Sequence, residues 1–487
     1  MGKLRLLLSA GAMLSLVAGA ANAARILGMQ GNPATVTGTG LVNQLSGFQQ
    51  MGSPYTGGQG LEIEPATPWS VPAPGTINMR VNSFVNEFPM YTSFTGMNGA
   101  GTPGSNAGNK IQGYGIYGWI RIDLGLDGMT KNGIKYGAYT QIRENNTTAP
   151  AGGTLSGATN SGFATNPSVD SLGNTLYVRH ANVYIGTDQL GFIKIGTGIA
   201  AQTLFETGLN DNFDIGGWIS FDGTNIPANM GPVWPWADEG GEYMAARLVY
   251  VSPVIAGFDA GIAFAPNNST PFDGSGCSTG YGGVGCVTQS SSTFAADQGR
   301  YRNELGLALR YRNAFGPIGL AVAGIYTTSG KVNAVGPQVY NGENIGDIGA
   351  SVSVNHVWSI GGNVMFGAFN GNWGLQNKPV GLQTSTTQAV AWEAGTKYTF
   401  LQVPLTIGTY YFNYKYQGQP GIPTQRTSQG IDVGAVYGMG PGVVLIAEYA
   451  WGQNYQGDYN FLTGATGTSA GNKVTAQVAT LGMSVRF

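Results

Sequence analysis

The sequence predicts an all-β protein, a transmembrane antiparallel β-barrel of sixteen strands with a long third loop folded into its lumen. Three observations predict it. From Gly75 to the C-terminus, segments of about ten residues alternate apolar and polar side chains between turn residues, the pattern of a wall with lipid on one side and water on the other. Beyond the N-terminus, no run approaches the ~20 apolar residues that a membrane helix needs. The connections between segments alternate short and long, as they do in membrane barrels.

Composition narrows the classes further. The chain has 487 residues, of which 80 are Gly and 10% are charged, where a soluble domain carries ~25% charged residues. A hydrophobic share of 42% and an aromatic share of 11% exclude the profile of a disordered chain. The glycines follow no three-residue period, which excludes collagen. Net charge is −2 and the basic residues are scattered singly, so no patch awaits a nucleic acid.

The elements follow in chain order. Residues 1–23 read as a cleaved signal peptide, with Lys3 and Arg5 ahead of the apolar stretch Leu6–Ala20 and a small-residue site at Ala21-Asn22-Ala23. Residues 24–74 read as a Gly- and Pro-rich irregular extension, and 75–487 as the barrel. The first strand, 75–88, sets Asn78 and Arg80 against Ile77, Met79 and Val81. The second, 112–124, sets Tyr117, Trp119, Arg121 and Asp123 against Ile116, Ile120, Ile122 and Leu124. The third, 133–144, carries Arg143 on its polar parity; the fourth, 174–186, alternates poorly, because His180 and Asn182 fall on what should be its outer face; the fifth, 191–198, carries Lys194. Strands at 243–252 and 257–265 flank a short turn at Ser252–Ala256.

The strand at 300–312 is the clearest. Tyr301, Leu305, Leu307, Leu309 and Tyr311 share one parity and Arg302, Glu304, Arg310 and Arg312 the other. Leucines between tyrosines match a hydrocarbon band bordered by aromatic girdles. The charges on the other parity would cost several kcal/mol each in a dry core, by the order of magnitude of ion desolvation, and a watery lumen removes that cost. Strands follow at 317–328, 345–357, 362–371, 388–400 (Glu393 and Lys397 against Val390, Trp392, Ala394 and Tyr398), 404–416, 429–438 (Asp432 against Ile431, Val433, Ala435 and Tyr437), 442–452 and 473–487. An even count puts both ends of the barrel on the short-turn side.

The third long loop, 199–242, holds Glu206, Asp211, Asp214, Asp222, Asp238, Glu239 and Glu242 with no Lys or Arg. It also holds Phe205, Phe213, Trp218, Phe221, Trp234 and Trp236, more aromatic surface than a loop standing in water needs. Across from it, Arg80, Arg121, Arg143, Arg179 and Lys194 form a candidate basic wall. Acidic loop against basic wall defines a charged constriction: Glu206, Asp211, Asp214 and Asp222 on one side, the five cations on the other. A transverse field of that kind favours small polar solutes over apolar ones. Trp218, Trp234 and Trp236 either fasten the loop to the wall or stack on sugar faces; the second reading makes a carbohydrate-selective channel the alternative to a general one.

Other chemistry is sparse. Cys277 and Cys286 flank a Gly-rich segment, and a disulfide stapling one loop suits an oxidising compartment. His180 and His356 are the only histidines and no nucleophile motif lies beside them, so an enzyme is not indicated. No zinc spacing, phosphate loop or dinucleotide fingerprint is present. The run Asn210–Asp214 lacks the ligand spacing and terminal Glu of an EF-hand, and calcium at the constriction is the one cofactor left open.

Four stretches carry a family resemblance: Thr76–Asn82, Arg179–Gly186, Leu190–Gly196, and Arg247–Pro253 followed by Ala256-Gly257-Phe258. By their order and spacing over 75–487 the chain resembles the sixteen-stranded general diffusion porins of Gram-negative outer membranes, closest to those of acetic-acid and related alphaproteobacteria. The resemblance implies an outer-membrane homotrimer with passive diffusion of small hydrophilic solutes through each protomer. It also implies contact with outer-membrane lipid and recognition of the terminal Phe487 by the barrel-assembly machinery. Ser83, Gly118 and Thr140, small or polar on the outer faces of early strands, suit protein contact better than lipid contact.

Overall fold

Period-two alternation leaves each strand with one apolar and one polar edge, and a closed sheet satisfies both while leaving no unpaired backbone edge in the membrane. The computed structural model describes residues 72–95, 114–145, 177–198, 200–205, 207, 246–267, 302–330, 332–333, 339–340, 344–355, 357–368, 389–416, 422, 424–440, 443–461 and 465–486. The strands are β1 (Ile77–Thr95), β2 (Tyr114–Met129), β3 (Lys135–Asn145), β4 (Tyr177–Thr187), β5 (Gly191–Thr197), β6 (Ala246–Val251), β7 (Phe258–Asn267), β8 (Arg302–Phe315), β9 (Ile318–Gly330), β10 (Val332–Asn333), β11 (Val339–Tyr340), β12 (Asn344–Val354), β13 (Trp358–Ala368), β14 (Ala389–Thr399), β15 (Leu405–Tyr416), β16 (Arg426–Gly440), β17 (Val443–Gln456) and β18 (Lys473–Arg486). One short helix, α1 (Ala201–Phe205), follows β5.

Sixteen strands form a closed antiparallel barrel, with β1 pairing β18 to complete the ring, and β10 and β11 form a separate two-stranded ribbon. The strand count and order agree with the sequence reading. The largest difference is β1, which continues past Pro89 in unbroken register, to Tyr91 against β2 and to Thr95 against β18. Proline cannot donate to a ladder and marks a strand end in a sequence; here its carbonyl still accepts from Thr480 Oγ1 at 2.7 Å.

The two faces separate as the alternation requires. Outward side chains such as Met79, Ile116, Ile185, Ile195, Leu309, Ile348 and Leu481 are exposed, a ring of apolar surface far larger than a soluble monomer presents. Tyr136, Phe258, Phe315, Trp358 and Tyr398 ring the short-turn end, and Tyr91, Tyr114 and Tyr455 stand at the other, as aromatic girdles do. Among the described residues no helix is long and apolar enough to cross a membrane; strands make the crossing.

Short turns set the register of the wall. Between β6 and β7, Ala256 (φ 52°) and Gly257 (φ 89°) are both left-handed, and Ile255 and Phe258 exchange backbone hydrogen bonds of 2.8 and 2.9 Å, the geometry of a tight hairpin that matches strand twist. In β4 the poor alternation has a structural cause. Its register against β3 slips between Gln141, opposite His180, and Ile142, opposite Val178. The extra residue at this bulge moves His180 and Asn182 to the inner face, where both are buried, while Val178, Val183 and Ile185 face outward. The expectation that His180 and Asn182 lie on the outer face is therefore corrected.

Candidate functional site

The start of the third long connection lies inside the barrel. Ala200, Ala201, Leu204 and Phe205 join one apolar cluster with Val249 and Val251 of β6, Ala263 of β7, Ala308 of β8 and Ile325 of β9, all inward-facing. Five residues are too few for a helix to hold by itself. Ala201, Leu204 and Phe205 recur at the three- and four-residue spacing that puts them on one face, and that face is buried against the wall. Small inward residues make the room: a Cβ added at Gly261 would stand 2.5 Å from the Phe205 ring.

One row of directly opposed inward residues receives the segment. It runs Asp259 (β7), Arg310 (β8), Ala323 (β9), Gly349 (β12), Asn363 (β13) and Glu393 (β14). At one end Arg310 grips Asp259 twice, Nε to Oδ1 at 3.1 Å and Nη2 to Oδ2 at 2.7 Å, and Arg312 adds a bond to Oδ2 at 2.5 Å. This two-pronged geometry fixes the guanidinium plane. The fixed Arg310 then donates from Nη1 to the Leu204 carbonyl at 3.2 Å and lies 4.6 Å above the Phe205 ring. At the other end Asn363 Nδ2 donates to the Thr207 carbonyl at 2.6 Å. Between them Ala323 and Gly349 leave a trough; a Cβ on Gly349 would meet the Thr207 oxygen at 2.1 Å. Nearby Asp347 receives a long bond from Asn363 at 3.5 Å.

The opposite wall is polar in another way. In the ring of sixteen, β3 and β13 lie eight positions apart, as do β2 and β12. On β2 to β4, Asp123 accepts from Tyr139 Oη at 2.7 Å and from Gln141 Nε2 at 3.1 Å, and Arg121 Nε stands 3.4 Å from its Oδ1. His180 lies beside Tyr139, ring centroids 6.3 Å apart, on the same buried inner face. Elsewhere Arg247 pairs with Glu304 at 3.5 Å. Acids are thus interleaved with cations around the wall.

Of the expected basic wall, Arg121 and Lys194 have buried side chains on the inner face. Arg80, Arg143 and Arg179 lie on β1, β3 and β4, with Arg143 directly opposite Arg121 in register, and their side chains lie outside the described structure. Glu206, Asp211, Asp214, Asp222, Trp218, Trp234, Trp236, Cys277, Cys286, His356 and Phe487 lie outside the described residues, as do the segments 1–23 and most of 24–74. Sequence reasoning missed the docking row. Its signals were present: Gly261 and Gly349 interrupt inward parities, and glycine inside a strand marks close approach of another backbone.

Comparison with known proteins follows the same lines. A family model described as Gram-negative porin matches residues 10–457. Among solved structures, an anion-selective porin from Comamonas acidovorans is 17% identical over 85% of this chain and 100% of its own, with a TM-score of 0.51. Mutants of the Rh. blastica porin are 14% identical over 84% of this chain and 100% of theirs, with a TM-score of 0.42. At such identities the Comamonas likeness is one of fold. No curated protein matches the chain.

Proposed function

The chain belongs to the Gram-negative porin family and is an outer-membrane porin for passive diffusion of small hydrophilic solutes; from that premise we propose where its constriction lies and what sets it. Porins are channels rather than enzymes, so what the wall does is select. The constriction is the third loop, 199–242, laid across the lumen from the β12–β14 side toward the β2–β4 side. Glu206, Asp211, Asp214 and Asp222 face Arg80, Arg121, Arg143, Arg179 and Lys194 across an aqueous slot. A solute passes if it fits the slot and tolerates the transverse field.

The observation that carries this reading is the anchoring of 204–207. Arg310 and Asn363 hold two backbone carbonyls of the loop's first turn against the inner wall, six and seven strands round the ring from Arg121 and Asp123 on β2. A loop fastened there starts well away from β5 and β6, the two strands it joins. The rest of the proposal follows the family: signal peptide 1–23 is removed, Phe487 engages the assembly machinery, and three copies associate through the outer faces around Ser83, Gly118 and Thr140.

Planar-bilayer currents test it. In a KCl gradient, with glucose and then maltose added, the general-porin reading gives three equal conductance steps per insertion that neither sugar blocks. Concentration-dependent block by one sugar overturns it in favour of a carbohydrate-selective channel using Trp218, Trp234 and Trp236.

A further inference from the structure

The outer surface carries a groove that the channel function does not use. It has a volume of about 550 Å³, within the ~300–1,000 Å³ range of ligand clefts. Its walls are Ile262, Leu307, Leu309, Tyr326, Ile348 and Phe366, all on the outward parity of β7, β8, β9, β12 and β13 and all exposed. Two glycines make the floor. Gly324 lies between Leu309 and Ile348, and Gly346 between Tyr326 and Phe366. The Phe366 ring covers Gly346, where an added Cβ would meet it at 2.9 Å, but a Cβ at Gly324 would meet nothing within 4 Å. The floor is open there. Asp347 borders the groove, but its carboxyl belongs to the inner side, within reach of Asn363.

Position and chemistry define the occupant. Gly324 is near the middle of β9 and Thr328 near its long-loop end, opposite Asn344, whose exposed side chain ends the groove. Four residues span about 13 Å of strand, about 10 Å of height at a tilt of ~40°, most of the way from the middle to the edge of a barrel's ~25 Å apolar band. The groove therefore runs from the bilayer midplane toward the headgroup level of the leaflet beside the long loops, apolar along its length and tipped by one amide. It is continuous with the lipid-facing band. The small outward residues that suit contact between copies, Ser83, Gly118 and Thr140, lie on β1 to β3, across the ring from β9 and β12. We propose that the groove is a binding site for one acyl chain of a membrane lipid in the leaflet beside the long loops, with the Asn344 amide meeting its headgroup linkage. The proposal rests on the outer-membrane placement and is independent of where the constriction lies.

The test uses the full-length protein in nanodiscs containing a phospholipid with a diazirine midway along one acyl chain. On illumination, peptides spanning 318–330 and 344–354 should be labelled saturably and severalfold above peptides from other outward strands. Gly324→Leu, whose Cβ meets nothing within 4 Å and whose side chain adds bulk to the floor, should remove the saturable component, and Gly324→Ala should reduce it. Heat-modifiable migration on gels and channel conductance should stay unchanged in both. Equal labelling of wild type and Gly324→Leu, or labelling spread evenly around the barrel, overturns the site by showing only ordinary lipid contact. A cross-link from these peptides to a second protein copy overturns it in favour of a subunit interface. A variant that loses heat-modifiable migration is replaced by Asn344→Ala, for which retained full labelling with undiminished saturation refutes the headgroup contact.

Discussion

Replacing Gly349 by Ala acts directly on the docked loop. The new methyl carbon would lie 2.1 Å from the Thr207 carbonyl oxygen and 2.5 Å from Asn363 Nδ2. Ordinary contact for such atoms is about 3.5 Å, so one side must retreat by about 1.4 Å. The strand has no such freedom, because Gly349 is paired with Ala323 on one side and Asn363 on the other. The loop moves instead. The Asn363–Thr207 bond, now 2.6 Å, then stretches to about 4 Å, beyond hydrogen-bond range. A buried carbonyl left without a partner costs about 1–3 kcal/mol, and one or two kcal/mol is a factor of about 5–30 in a two-state population. The loop should therefore spend a large share of its time undocked while the barrel stays intact. Single-channel recording should show higher and noisier open-channel current than wild type, and liposome swelling should show a raised solute size limit, with heat-modifiable migration retained. Quiet current of wild-type size, with an unchanged size limit, would refute the docking geometry.

Other outcomes follow from the same contacts. Asn363→Ala removes the donor to Thr207 without adding bulk, and should raise open-channel noise while leaving the urea midpoint of the barrel near wild type. Asp259→Asn leaves Arg310 and Arg312 facing each other with no carboxylate between them; breaking a buried pair costs about 3–5 kcal/mol, so the denaturation midpoint should fall, and an unshifted midpoint would show that water already screens the cluster. Arg426, buried against the adjoining rings of Tyr459 and Phe461 at 5.3 and 4.9 Å and bonded to Gln456 at 3.0 Å, holds the connection between β17 and β18. Arg426→Ala should expose that connection to chymotrypsin at Tyr459 and Phe461 on intact cells, and resistance equal to wild type would argue that the rings hold each other.

Much of the fold was legible because lipid and water impose opposite demands on alternate residues. Glu393 and Lys397 against Trp392 and Tyr398, or Glu304 and Arg310 against Leu307 and Leu309, identify both faces without any tertiary information, and the structure keeps those faces. Legibility failed where local chemistry competes with pattern. Pro89 reads as a strand end, yet the ladder continues past it in register. The bulge at β4 inverts parity within one strand, so His180 and Asn182 could not be assigned a face from alternation alone. At the candidate site, parity put Arg121, Lys194 and Arg310 on the inner face, where they are buried, but the contacts of Arg310 with the loop were not legible. The bond from Asn363 to Thr207 joins residues 156 positions apart, and the trough at Ala323 and Gly349 is defined by missing side chains, which carry no signal until a backbone is seen lying over them.

The most direct measurement is the reversal potential of the wild-type channel and of the Asp211→Asn, Asp214→Asn double variant under the same KCl gradient. If the third loop forms one wall of the constriction, removing two of its carboxylates shifts the reversal potential toward that of chloride while the barrel and its conductance steps persist. Identical reversal potentials in the two proteins would place the selecting charges elsewhere on the wall and contradict the constriction described.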